Sequence, residues 1–139
     1  MESADLRLGD ALTQLAHELV ARTGADACVL SRIVGDVLIV TRALSAEALL
    51  DMGQGFLVSD YPATVRVLES GEPAALTLAD EDVDEHEAEL LRELGFASLL
   101  MLPFDVAGQP WGLAELYRRE VRPFGAPEID AARATAHIG

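Results

Sequence analysis

Apolar residues recur at Leu12, Leu15, Ala16, Leu19 and Val20, a spacing of i, i+3, i+4, i+7 and i+8. That period lays one apolar stripe along a helix, and Gly24 supplies a left-handed cap to end it. The pattern then changes. Ala27 to Ile33 and Val37 to Ala43 are β-branched and aliphatic runs on either side of Gly35-Asp36, which predicts a hairpin. Leu44 to Gly55 is mixed: SAEALL has a brief helical pattern and MGQG breaks it. In SDYPATVRVLESGEP, Pro62 stands at a first helical position after Asp60 or Tyr61, and Gly71 and Pro73 close the helix. Ala74 to Leu78 reads as a short strand.

DEDVDEHEAELLRELG comes next. Its Asp84 and Glu87 form a capping-box pattern, and acids crowd the first turn, where the helix dipole favours them. Leu90, Leu91 and Leu94 give the helix an inward face, and Gly95 stops it. LLMLPFDVAGQPWGLAELY then places two apolar runs around Ala107-Gly108. A two-residue turn there pairs Val106 with Gln109. Counting back sets Phe104 against Trp111, Leu102 against Leu113 and Leu100 against Glu115 on one side of the sheet. The other side, with Gly112 and Ala114, is shallow and suits close helix packing, so the Trp111 side is expected to look into a cavity. A last helix starts near Ala126, with Phe124 and Ile129 at staple spacing and Glu128 as its third residue. The order helix, hairpin, helix, strand, helix, hairpin, helix predicts an α+β fold around a mostly antiparallel sheet, one domain over residues 1–139.

Glu115 is the one charge inside the last apolar hairpin. Buried alone it would cost several kcal/mol unless paired or wet. It therefore either meets an arginine (Arg32, Arg42 or Arg66) or points into a solvated pocket, the ion pair being the favoured reading.

Composition narrows the function. With 139 residues, half of them apolar, the chain can bury roughly two thirds of its extended surface and is not disordered. No apolar run approaches the ~20 residues of a spanning helix. The opening MESADLRLGD is acidic where a secretory signal would be basic. One cysteine, Cys28, cannot form an internal disulfide and reads as a small buried hydrophobe. A cytoplasmic protein is expected, with no membrane partner. The net charge of −14 repels phosphate backbones, so no nucleic-acid partner is expected, and Arg118, Arg119 and Arg122 read as ordinary surface. The acidic run from Asp80 to Glu93 lacks the rhythm of a calcium loop. His17 and His137 fall on the first and last helices, and His86 reads as a solvated imidazole near a helix cap, so no metal site is expected. No Gly-rich phosphate loop, nucleophile elbow or His-Glu-x-x-His motif is present, and an enzyme is not expected.

The stretch ASLLMLPFDVAGQPWGLAELYRREVRPFGAPEIDAARATA resembles a GAF domain, the small-molecule sensing module of signalling proteins. The resemblance lies in Pro103 within an apolar strand, the turn glycine Gly108, the strand WGLAEL, and Phe124 four residues before Glu128. Upstream, ALTQLAHELVARTGADACVL and DYPATVRVLESGEPAAL are similar to the family's first helix and strand and to its middle helix and third strand. The resemblance implies a five- or six-stranded sheet with the first and last helices on one face. Shorter helices and loops would close a cavity over the other. It implies a sensor that binds a small molecule and relays the change through the terminal helices to an effector domain in a longer protein. The alternatives are a dimerisation module without ligand, and a haem sensor using His86. The Asn-Lys-Phe-Asp-Glu motif of cyclic-nucleotide members is absent, Cys28 has no adjacent histidine for bilin attachment, and one cysteine cannot serve the family's sulfoxide reductases. Expected ligand contacts are Trp111, Leu113, Glu115, Leu102, Phe104 and Tyr61; the ligand and any cofactor are not readable. A homodimer through the first and last helices is expected from Ala131, Ala132, Ala134 and Ala136. The chain stops at HIG, where members of the family continue into a connecting helix.

Overall fold

Four helices and seven strands alternate in a computed structural model that describes residues 2–46 and 52–139. Helix α1 (Glu2–Thr23) buries Leu12, Leu15, Ala16 and Leu19, the stripe that its periodicity predicts. Each buried leucine contributes about 2 kcal/mol. Gly24, at φ +71°, ends the helix and donates its N–H to the Val20 carbonyl. Strands β1 (Ala27–Val34) and β2 (Val37–Leu44) pair from Val34 opposite Val37, so Gly35-Asp36 is the predicted two-residue turn. The helical pattern at 45–50 falls largely outside the described residues.

Strand β3 (Gly55–Leu57) leads through one 3₁₀ turn into α2 (Pro62–Ser70), with Tyr61 at its N-cap and Gly71 left-handed at its end. Strand β4 (Ala74–Thr77) precedes α3 (Glu85–Leu94). Strands β5 (Ser98–Val106) and β6 (Gln109–Arg118) form the central hairpin, and α4 (Ala126–Thr135) and β7 (His137–Ile138) end the chain. The sheet order is β3-β2-β1-β6-β5-β4, with β7 added in parallel to the far end of β5. All other pairings are antiparallel.

The sheet separates two cores. Under α1 and α4 lie Cys28, Leu30, Leu100, Leu102, Phe104, Ala114 and Leu116. Toward α2 and α3 lie Ala27, Val29, Leu99, Met101, Leu113 and Tyr117. Arg118 locks the first layer together. It is buried, donates to the carbonyls of Thr23, Arg122 and Pro123, and lies 4.0 Å from the centre of the Phe124 ring. One guanidinium thus joins the end of α1, the end of β6 and the entry to α4, so its expected role as ordinary surface is corrected. Gly125 donates to Glu128 Oε1 at the start of α4, as a capping box requires, and Phe124 and Ile129 pack beside it.

Three details depart from the sequence pattern. Val106 does pair with Gln109, but Asp105 then faces Pro110 while Phe104 faces Gly112, so Trp111 is an extra residue in β6. This bulge shifts every later pair by one and turns the Trp111 ring toward the α1 and α4 layer, 5.5 Å from Phe104. Second, His137 lies beyond α4, in β7, beside Asp105. Third, α4 ends at Thr135 with Ala136 as its cap; Ala132 and Ala136 are buried, while Ala131 is half-buried and Ala134 is exposed on the side turned away from them.

Candidate ligand pocket

Side chains two apart on a strand share a face, and past the bulge Glu115 and Tyr117 both point away from α1 and α4. Glu115 sits between Val29 of β1 and Met101 of β5. The Tyr117 hydroxyl donates to Glu115 Oε2 at 3.0 Å. Its ring is held by stacking on Phe96, with centroids 4.9 Å apart. Burial pushes the Glu115 carboxyl up to about 8; the negative charge of Glu87 adds to the rise and the Tyr117 bond opposes it.

Glu87 comes from the opposite wall. Asp84 caps α3 by accepting the Glu87 N–H, which is half of the expected capping box. The glutamate does not close the other half. Its side chain turns inward, only 2% exposed, and accepts a hydrogen bond from Thr64 Oγ1 at 3.0 Å. Burial raises its pKa, the Thr64 bond opposes that rise, and the charge of Asp84 adds to it. Tyr61, at the N-cap of α2, stands at the rim with Phe56 and His86 in edge-on contact at 6.3 and 6.2 Å. Its phenol is raised by partial burial first and then by Glu87 and its other acidic neighbours.

These groups enclose a pocket between the sheet and α2/α3, walled elsewhere by Val29, Leu38, Leu90 and Leu94. Its free volume is about 20 Å³, room for roughly one water or slightly more. Two wider grooves, about 340 and 440 Å³, lie open on the surface beside Pro103 and Pro110. Arg133 of α4 and β5 line the first, and Val65, Leu68 and Glu69 of α2 the second; their carboxyls, Asp105, Asp36 and Glu69, are half-buried or exposed, unlike Glu87 in the small pocket.

Of the residues expected to touch a ligand, Tyr61, Leu113 and Glu115 lie on the pocket side, and Tyr61 and Glu115 line it. Trp111, Leu102 and Phe104 lie on the other face, under α1 and α4. The expectation that they share a side with Glu115 is corrected by the bulge. The expected ion pair is corrected too. Arg32 stacks on Trp111 on the opposite face, Arg42 donates to Thr13, and Arg66 is exposed. The partner of Glu115 is a tyrosine. Thr64 and Tyr117 carry no expectation from the sequence, and Glu87 is expected there only as a helix cap. Tyr117 has a signal there, two residues after Glu115, whereas the spacing of Glu87 fits a cap equally well. Cys28 is buried on the far face, its thiol raised by burial and then by Glu115. Among the described residues no three His, Cys, Asp or Glu side chains are grouped to hold a metal. No described helix is long and apolar enough to cross a membrane.

A family model described as GAF domain matches residues 7–138. No curated protein matches the chain. Among solved structures, the chain is similar to the blue-light absorbing form of the Thermosynechococcus elongatus PixJ GAF domain, with TM-score 0.78 and 20% identity over 96% of this chain and 83% of that one. It is similar to the GAF domain of a two-component sensor histidine kinase from Bacillus halodurans, with TM-score 0.75 and 14% identity over 91% and 86%. The chromophore-binding domain of Stigmatella aurantiaca phytochrome P1 gives TM-score 0.69 and 15% identity over 88% of this chain, which spans only 49% of that longer one.

Proposed function

The chain belongs to the GAF domain family, and from that premise we propose that it is a regulatory sensor domain of bacterial-type signal transduction. A small molecule enters the pocket between the sheet and α2/α3, and the change passes through α1 and α4 to an effector domain. The reading is of a cytoplasmic binding module without catalysis, dimeric through α1 and α4. The observation that carries it is Glu115: a carboxyl on the wall of an apolar pocket, held by a tyrosine and by no arginine. A structural acid in such a place would be paired; one kept for a ligand is left available. The sensor-kinase context of the Bacillus halodurans domain supports the same role.

One observation favours a second reading. The free volume of about 20 Å³ is small, as it would be in a dimerisation module whose cavity has filled with side chains. Haem gains no support, since His86 is exposed and the volume admits no macrocycle. Native mass spectrometry of freshly purified protein, followed by thermal shift against a metabolite panel, decides between the readings. The sensor reading expects a carried-over or stabilising small molecule whose effect Glu115→Gln removes. A protein that carries nothing and is stabilised by nothing is the dimerisation module.

A further inference from the structure

Carboxyls from two separate elements line this pocket, Glu87 from α3 and Glu115 from β6, and each accepts one hydrogen bond from a hydroxyl. Thr64 occupies Glu87 Oε1, and among the described residues no partner reaches the second oxygen of this almost fully buried side chain. The chain has no lysine; all ten of its basic residues are arginines. None of them lines the pocket. Arg92 and Arg133 pair with Glu85 and Glu72 on the surface, Arg118 is held in the opposite layer, and Arg119 lies over the outer side of Phe96. The cavity therefore holds two acids and no internal cation, beneath a rim of Tyr61 and Phe56 whose ring faces attract cations.

We propose that the ligand is a small primary amine, its ammonium group lying between Glu87 and Glu115 and its short carbon chain against Val29, Leu38 and Leu90. The proposal rests on the sensor reading of the same pocket and names the chemistry of what enters. Size limits the choice. About 20 Å³ receives an ammonium head and little more before Tyr61 and Phe56 must swing outward. An anion is opposed by both carboxyls, and a neutral molecule supplies no charge to replace the proton that the pair holds when empty. The protein's net charge of −14 raises the local concentration of any cation. Without the amine, a proton does its work: burial of both carboxyls, and the charge of Glu87 acting on Glu115, keep the pair from ionising fully. Amine binding then displaces that proton. The groups facing Glu115 are Tyr117 beside it, Tyr61 of α2 and Glu87 of α3, with His86 behind Tyr61; of these Glu87 shares the proton change.

The test uses propylammonium chloride, with 1-propanol and sodium propionate as neutral and anionic counterparts at matched ionic strength. Melting temperature and calorimetric binding are read at pH 6 and pH 8.5. The amine is expected to raise the melting temperature, to bind at least tenfold more tightly at the higher pH, and to release a proton, seen as a heat that depends on the buffer. Glu115→Gln and Glu87→Gln should each weaken it at least tenfold while circular dichroism shows an intact fold. Stabilisation by propanol or propionate in place of the amine overturns the amine and leaves the sensor reading standing. If no compound of any charge in this set or in the metabolite panel acts, both fall.

Discussion

In the unfolded chain Glu115 ionises near the ordinary 4.5, whereas in the pocket it keeps its proton up to about 8. Between those values the folded state binds more protons than the unfolded one, so this group's contribution to stability falls as pH rises, and the loss is complete above the folded value. Glu87 moves in the same direction, through burial. Glu115→Gln removes the charge but keeps an oxygen that accepts from Tyr117. Its urea midpoint is therefore expected to match the wild type near pH 5 and to exceed it near pH 9, by a few kcal/mol once converted. A difference that stays constant with pH would show that the carboxyl ionises normally and that water, not apolar wall, surrounds it.

Helices and hairpins were legible because their ends carry local chemistry. Gly24, Gly71 and Gly95 each sit at positive φ just past a helix, and Pro62 opens α2. The faces of β6 were half legible: alternation places Leu113, Glu115 and Tyr117 together, but a bulge has no period and Trp111 lost its side. Glu87 was hidden for another reason, since a glutamate at the third helical position serves a cap in sequence whether or not it turns inward in space. Behind the bulge, the strand approach is set by Gly112. A Cβ there would strike the Ser31 carbonyl of β1 and come within 2.7 Å of the Phe104 ring. Strands β1 and β6 cannot both keep their places, so Gly112→Ala should destabilise the domain by roughly 3 kcal/mol, seen as a lower urea midpoint with an unchanged slope. A neutral result would mean that the bulge absorbs the methyl by shifting β6, and Trp111 fluorescence would then move.

At the scale of the whole molecule the charges are unevenly usable. Net charge is −14, and several of the arginines that offset it are already engaged, Arg118 in the interior and Arg92 and Arg133 with acids. With 24 acids against ten arginines, the surface repels a phosphate backbone more than its cations can release counterions from it, so duplex DNA should not be retarded even at about 50 mM salt, where such binding is strongest. The same charge governs self-association. The outward positions of α1 and α4 include Thr13, Gln14, His17, Arg22, Arg133 and Ala134, a thin and mostly polar surface. Two copies meeting there gain modest apolar contact against the repulsion of two like-charged bodies. That repulsion is screened over about 10 Å at 0.1 M salt and about 3 Å at 1 M. Sedimentation equilibrium should therefore show the proposed dimer tightening severalfold as sodium chloride rises from 50 to 500 mM. Loosening with salt would instead identify ion pairs across the helices as the main attraction, with Arg22 and Arg133 the first to substitute. A monomer at every salt concentration would remove the proposed dimer and confine the proposed relay through α1 and α4 to a single chain.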